Sequence, residues 1–333
     1  ELNQGAGAAH VASEALAFDH DFQPYNLTER LRGLVENVRG SADIAADISW
    51  RGQTLSASGL ARLNGVSMAT ATIPIVEDVR GVVLFDDLFA LTTPPGQSVS
   101  VGLVNPGVAV RDGLVQFQLL GQQRVAIERA EFAYAGGVLA MAPTTISLGA
   151  EETRFELTLA QVDAADLIAS LNLPDIGASG RVEGNFPLLL SRRAALIQNG
   201  VLRALPGGGP ISYVGHAGDG ATGPARIAFD ALRSFRYDEL VITLDGDLGG
   251  EVISSITFSG ENTGAPVDLG PIAPIPGPGN VQVRGVPFDF NVRVTAPFRR
   301  LADTAASIAD PGIILDRSED TAEPVDPPPA TPR

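Results

Sequence analysis

Few residues of this sequence have the types and the spacing that metal binding requires. The most suggestive stretch is Asp245-Gly-Asp-Leu-Gly-Gly-Glu251, whose carboxylates stand at intervals that could surround a hard cation such as calcium. The stretch lacks the full series of ligands, and an Asp-Gly pair between two alternating segments is already explained by a hairpin turn. We therefore expect no metal and no cofactor.

Nucleophilic catalysis has no support either. The chain contains no Lys and no Cys, which removes Schiff-base chemistry, a P-loop lysine and a thiol nucleophile. His10, His20 and His216 lie in weakly patterned segments, and no G-x-S-x-G motif presents a serine. Gly207 to Gly209 lacks the following residues of a phosphate cradle. The sequence therefore predicts a protein that is not an enzyme.

The composition restricts the partners. The net charge is −16, so nucleic acid and anionic membrane surfaces should not bind the chain through electrostatic attraction. Apolar residues make up 44% and aromatic residues only 6%, so the buried surface is mostly aliphatic and suits flexible hydrocarbon. With 37 Gly and 24 Pro the chain is interrupted too often for a helical bundle. We expect a mainly β fold.

Apolar and polar residues alternate in one segment after another, which is typical of strands with one apolar and one solvated face. The pattern is clear from Arg181 to Leu190. Asn199-Gly200, Asp112-Gly113 and Asp245-Gly246 are predicted as hairpin turns. A change of face near Arg129 predicts a β-bulge. The sequence therefore predicts successive antiparallel hairpins, each with one apolar face.

A few short amphipathic helices and a division of the chain are also predicted. Asn26-Leu-Thr-Glu29 should cap a helix that extends to Val38, and Asp163 should cap one that extends to Leu171. Two more are predicted at 227–235 and 299–309. The chain divides into residues 1–25, the end of a preceding unit; 26–176, the first half of a β-groove; 177–317, its C-terminal half; and 318–333, a disordered acidic Pro-rich tail. We expect this to be the C-terminal portion of a longer chain whose membrane anchor lies upstream.

The function depends on what the apolar faces cover. If they face each other, they form the core of a closed β-sandwich, which would be a binding module. If they belong to one curved sheet, they line a groove that is open along one side and accepts lipid tails. The sequence pattern alone leaves both open. The candidate lining residues are Ile44, Ile48, Trp50, Val115, Phe117, Leu119, Phe155, Leu157, Leu159, Phe186, Leu188, Ile242, Leu244, Ile256, Phe258, Phe288, Phe290 and Val292.

An ordered series of short motifs resembles the C-terminal region of YdbH-like proteins, which belong to the wider AsmA- and TamB-like group. The resemblance extends from about Phe18 to Leu315 and departs from the family pattern at Pro266 to Gly279. Its motifs are Thr92-Thr-Pro-Pro-Gly-Gln97, Asn105-Pro-Gly107, Val110-Arg-Asp-Gly-Leu-Val115, Ala135-Gly-Gly137, Gly180 to Pro187, Gly200-Val-Leu202, Ile211-Ser-Tyr213, Ala231-Leu-Arg-Ser-Phe-Arg-Tyr237 and Pro287 to Asn291.

The resemblance implies a fold and a function. The fold would be a long, curved and twisted antiparallel sheet that forms an open hydrophobic groove, a β-taco. The function would be a bridge across the periplasm, anchored in the inner membrane, that carries phospholipids toward the outer membrane. A small outer-membrane lipoprotein would bind the C-terminal end by strand addition. Dicarboxylate transport, an older family label, has no support in these residues. A scaffold or chaperone for outer-membrane protein assembly, as in TamB-like proteins, is the alternative.

Overall fold

The computed structural model describes residues 5–32, 35–70, 73, 75–105, 109–148, 150–170, 175–191, 194–214, 219–220, 222, 226, 230–248, 250–264, 267–268, 282–283, 285 and 287–297. Strands dominate this part of the chain. They are β1 (Ala6–Phe18), β2 (Glu36–Arg51), β3 (Thr54–Ala69), β4 (Ile75–Phe85), β5 (Gln97–Asn105), β6 (Val110–Gly121), β7 (Arg124–Tyr134), β8 (Gly137–Met141), β9 (Thr144–Ser147), β10 (Glu152–Asp163), β11 (Ile176–Ala178), β12 (Arg181–Ser191), β13 (Ala195–Ala204), β14 (Gly209–Tyr213), β15 (Phe235–Asp247), β16 (Glu251–Asn262), β17 (Val267–Asp268), β18 (Gln282–Val283) and β19 (Pro287–Pro297).

Seventeen of these strands form one sheet, and β17 and β18 form a separate two-stranded ribbon. The sheet is an antiparallel meander, in which each strand pairs with the strands that come before and after it in the chain. We call each place in this order a position of the ladder. Three positions are interrupted strands. β8 and β9 both pair with β7, and β13 and β14 both pair with β15. β11 pairs with β14, and β12 pairs with β13. At about 4.8 Å per position, the ladder is roughly 65 Å long.

The sheet is not closed into a barrel. Among the described strands, β1 pairs only with β2 and β19 pairs only with β16. The described strands also do not separate into the two facing sheets of a sandwich. The prediction of a mainly β, antiparallel and open sheet is therefore confirmed.

The three predicted hairpin turns are wrong. Asn199-Gly200 lies inside β13, Asp112-Gly113 inside β6 and Asp245-Gly246 inside β15. Asn199 and Asp112 have positive φ angles of 54° and 53° and coincide with register shifts, so they are β-bulges. Bulges and tight turns both place Asn or Asp beside Gly, because both need backbone with positive φ. The bulge predicted near Arg129 is confirmed, since the register between β6 and β7 shifts there.

The helix predicted from Asn26 to Val38 is also wrong. Residues Pro24–Asn26 and Glu29–Leu31 form short 3-10 helices, and β2 begins at Glu36. The side-chain amide of Gln23 donates to the Val38 carbonyl at 2.9 Å and accepts from the Val38 N–H at 3.0 Å. This pairing fixes Val38 in extended backbone, where it is buried.

The helix predicted after Asp163 is confirmed as α1 (Ala164–Ser170). The Asp163 carboxylate caps it by accepting the backbone N–H of Ala165 at 2.8 Å. Of the helix predicted at 227–235, residues 230–232 are helical, 227–229 lie outside the described residues, and β15 begins at residue 235. The predicted helix at 299–309 and the predicted disordered tail at 318–333 lie outside the described residues. The division at residues 25, 176 and 317 stays a prediction.

Candidate functional site

One face of the sheet is apolar across the whole ladder. Directly opposed residues of antiparallel strands lie on the same face, so the register traces that face from strand to strand. Each residue of the trace opposes either the next residue of the trace or a residue two positions away from that next residue on the same strand. Residues two positions apart on a strand lie on the same face. From β2 to β16 the trace runs through Ile44, Ala61, Val83, Val99, Val115, Ala130, Met141, Leu157, Phe186, Leu202, Ile242 and Ile256. We call this side the apolar face and the opposite side the outer face.

The register places the predicted lining residues from β2 to β16 on this apolar face. Ile48 and Trp50 follow Ile44 at alternate positions, and Phe117 and Leu119 follow Val115. Leu159 opposes Leu139 of β8, and Leu188 opposes Phe155. In β19 the register opposes Phe288, Phe290 and Val292 to Gly260, Phe258 and Ile256. The predicted lining residues of these strands therefore share one surface, although three of the predicted turns were wrong.

The sheet curls so that its apolar face lies inside. Ile73, between β3 and β4, packs against an apolar cluster that includes Leu188, Ile197 and Leu248. These residues belong to β12, β13 and the segment after β15, many positions along the ladder from β3. The contact requires the apolar faces of the two halves to turn toward each other. The apolar face is therefore concave, and we call the space that it surrounds the trough.

The depth of burial varies along the trough. Leu188 and Phe258 are only 6% and 5% exposed, although no second layer of strands covers them in the described part of the chain. Near the β1 edge the apolar face is open instead, with Trp50 39% and Val11 53% exposed. The Trp50 indole lies across β1, where a Cβ on Gly7 would overlap it. An apolar surface therefore remains accessible to solvent at this end.

The outer face carries polar and charged side chains. Arg62 of β3 and Asp43 of β2 form an ion pair at 3.9 Å, and Arg129 and Glu131 form one at 2.7 Å within β7. Exposed pairs of this kind contribute little stability, since solvent screens them. They keep charge on the solvated side of a sheet that is one layer thick. The outer face is not purely polar, however, because Leu84 and Leu114 are exposed on it.

Several residues of the trough were missed in the sequence. Leu16 and Phe18 of β1 oppose Ala42 and Gly40 of β2 and lie on the apolar face, although residues 1–25 had no clear pattern. Val11 lies on the same face at an odd position of the same strand. Alternation shifts by one residue at a bulge, which hides such a strand from a search for strict period two.

The described residues contain no cluster of side chains suited to metal binding. No group of three or more His, Asp or Glu side chains there could hold a metal ion. His10 pairs with Asp47 at 2.8 Å and His20 with Asp21 at 3.1 Å, both exposed, and His216 lies outside the described residues. Asp245, the first residue of the calcium-like stretch, belongs to β15 and accepts the backbone N–H of Asn199.

Comparison with known proteins identifies the family. The family model described as YdbH-like, intermembrane phospholipid transport protein YdbH, matches residues 2–305. No curated protein and no solved structure shows significant similarity to the chain. Among the residues that the structure describes, none lies in a helix long and apolar enough to cross a bilayer. An open antiparallel sheet with one apolar face agrees with the family match, and the chain belongs to the YdbH-like family of intermembrane phospholipid transport proteins.

Proposed function

We propose that this chain is a section of a non-enzymatic bridge that carries phospholipids between the inner and outer membranes along the trough. Membership of the family supports phospholipid as the cargo and implies a location in the cell envelope, in the periplasm. The observation that carries the trough mechanism is the apolar face, which continues from strand to strand across the ladder on the concave side of an unclosed sheet.

The physical chemistry of a phospholipid fits this arrangement. Acyl chains gain about 0.8 kcal/mol for each CH₂ group removed from water, so a continuous apolar wall holds them without specific contacts. The charged head group resists burial and would stay at the open side of the trough, in solvent. Transport of this kind breaks no covalent bond and so requires no catalytic residue.

A matched set of variants tests the trough mechanism. Ile242 of β15 and Ile256 of β16 oppose each other on the apolar face, and their neighbours Thr243 and Thr257 are exposed on the outer face. We expect Ile242→Asp or Ile256→Asp to abolish the retention of phospholipid measured by native mass spectrometry. Thr243→Asp and Thr257→Asp add the same charge to the same strands and should retain lipid as the unmodified protein does.

The outcomes discriminate between functions. Equal lipid retention in all four variants would overturn the trough mechanism, provided that circular dichroism shows each variant to be folded. Copurification of nascent barrel strands in place of phospholipid would support the alternative role as a scaffold or chaperone for outer-membrane protein assembly. A protein that retains neither would contradict both.

We propose further that a small outer-membrane lipoprotein binds the C-terminal end by strand addition, and that an upstream anchor holds the full-length protein in the inner membrane. In the described residues β19 pairs with β16 alone, which leaves its other edge available for main-chain hydrogen bonds. Photo-crosslinking side chains placed along Pro287–Pro297 should capture a lipoprotein in cells. Crosslinks at the β1 edge alone would contradict this placement.

A further inference from the structure

Four β-bulges of the sheet share one arrangement. In each, two consecutive residues oppose a single residue of the neighbouring strand, and the second of the two has a positive φ angle, between 49° and 56°. The bulges are Glu14 and Ala15 opposite Asp43, Glu77 and Asp78 opposite Ser67, Ala160 and Gln161 opposite Glu183, and Gln198 and Asn199 opposite Asp245. They lie in β1, β4, β10 and β13, so the arrangement recurs along most of the ladder.

In three of these four bulges, the single opposing residue accepts a hydrogen bond from the second bulge residue. The Ala15 N–H donates to the Asp43 carboxylate at 2.9 Å, and the Asn199 N–H donates to the Asp245 carboxylate at 2.6 Å. The Asp78 N–H donates to the Ser67 hydroxyl at 3.3 Å. A bulge interrupts the ladder and leaves a backbone N–H without a strand partner. A side chain of the neighbouring strand supplies that partner in these three bulges.

Each bulge also changes which positions of its strand face the trough. In β13, Ile197 lies on the apolar face before the bulge, and Leu202 lies on it after the bulge, at positions of opposite parity. In β1, Ser13 and Leu16 are related in the same way. Without the additional residue, the strand would slip by one position and turn the apolar side chains of one half to the outer face.

We propose that Asp43, Ser67 and Asp245 are positioning residues that hold their three bulges in register and thereby keep the apolar face continuous. We call them register clamps. The proposal rests on the proposed function only in the consequence for lipid, because the clamps act on the register itself. They lie on the outer face and touch no cargo in the trough.

Cysteine pairs can report the register of β1, because the chain contains no Cys of its own. Ala17 opposes Ser41 in the bulged register. If the bulge were lost, Leu16 would oppose Ser41 instead. The pair Ala17→Cys with Ser41→Cys therefore reports the bulged register, and Leu16→Cys with Ser41→Cys reports the slipped one, when each is oxidised by copper phenanthroline.

We expect Asp43→Ala to raise the ratio of slipped to bulged crosslink by roughly tenfold, the effect of losing one hydrogen bond to a charged group. Asp43→Asn retains an acceptor oxygen and should stay near the unmodified ratio. Asp47→Ala is the matched control, because Asp47 lies on the same face of β2 and its carboxylate forms a hydrogen bond with the exposed His10 instead of with a bulge. A ratio for Asp43→Ala equal to that of Asp47→Ala would overturn the proposal.

Asp43→Ser is a milder variant, which retains an acceptor and therefore perturbs folding less than Asp43→Ala. Its shorter hydroxyl resembles the acceptor of the Ser67 clamp, so its ratio should lie between those of the unmodified protein and Asp43→Ala. A different order of the three ratios would contradict the clamp.

Lipid retention provides a separate readout. We expect the double variant Asp43→Ala, Asp245→Ala to retain less phospholipid than Asp47→Ala, measured by native mass spectrometry. If the unmodified protein retains no phospholipid, the proposed function fails while the crosslinking result stands. If retention is normal but the crosslink ratio does not change, the clamps fail and the proposed function stands.

Discussion

Gly113 of β6 lies directly beneath the ring of Phe132 of β7, and a Cβ at this position would overlap the ring. Both residues lie on the apolar face, so the ring takes the space that a side chain on β6 would fill. We expect Gly113→Ala to displace the ring and to lower the free energy of unfolding by about 1–3 kcal/mol, as other overpacked sites do. Urea denaturation measures this change.

A double-mutant cycle isolates the contact between Gly113 and Phe132. With Phe132→Ala in place the ring is absent, so Gly113→Ala should then have little effect on stability. The same loss of stability with and without the ring would show that the backbone of Gly113, and not its contact with Phe132, is what the substitution disturbs.

Gln23 should be essential for the start of β2. Its buried amide forms both backbone hydrogen bonds of Val38, so Gln23→Ala leaves a buried donor and a buried acceptor without partners. We expect the free energy of unfolding to fall by roughly 2–4 kcal/mol. Gln53→Ala, in the exposed turn between β2 and β3, is the control and should change stability little. Equal stability of the two variants in urea would contradict the role of the amide.

Trp50 provides an intrinsic probe of the trough, because it is the only tryptophan of the chain and lies on the apolar face. We expect phospholipid with brominated acyl chains to quench its fluorescence, since bromine quenches indole only at close range. In the double variant Trp50→Phe, Ser49→Trp the indole moves to the outer face of the same strand. Quenching should then disappear, and quenching that persists there would contradict binding of acyl chains in the trough.

Stability in acid should depend on Asp43. The hydrogen bond from the Ala15 N–H, then one with Asn64 and the nearby Arg62, hold the pKa of this carboxyl below its ordinary value. The unfolded chain therefore binds the proton more readily, and the stability that Asp43 contributes above its unfolded pKa is lost as the pH falls through its folded pKa. Urea midpoints at about pH 5 and about pH 3 should differ less in Asp43→Asn than in the unmodified protein. An unchanged difference would contradict the assignment.

The apolar face could be predicted from the sequence because period two is a local pattern. Ile44, Val115, Leu157 and Ile242 each stand in a segment that alternates on its own, and one antiparallel meander brings such segments onto one face. The curvature could not be predicted in this way. It depends on contacts between distant segments, such as that of Ile73 with the cluster around Leu188.

The three Asn-Gly and Asp-Gly pairs that lie inside strands could not be distinguished from turns either. Asn199-Gly200 satisfies the local requirement of a hairpin and that of a bulge equally well, and the choice depends on the partner strand. Asp245, opposite Asn199, is the residue that distinguishes them, yet it lies far along the chain. The false helix at Asn26 has a similar cause, because the pairing of Gln23 with Val38 outweighs helical spacing.

The meander has a consequence for how the span of such a protein can change. Since neighbours in the sheet are neighbours in the sequence, a hairpin can be inserted or deleted at any turn without rerouting the others. Each insertion lengthens the molecule by about 10 Å. The length of the ladder is thus additive, as in repeat proteins, and in the bridge that we propose the number of hairpins alone would set the distance spanned between two bilayers.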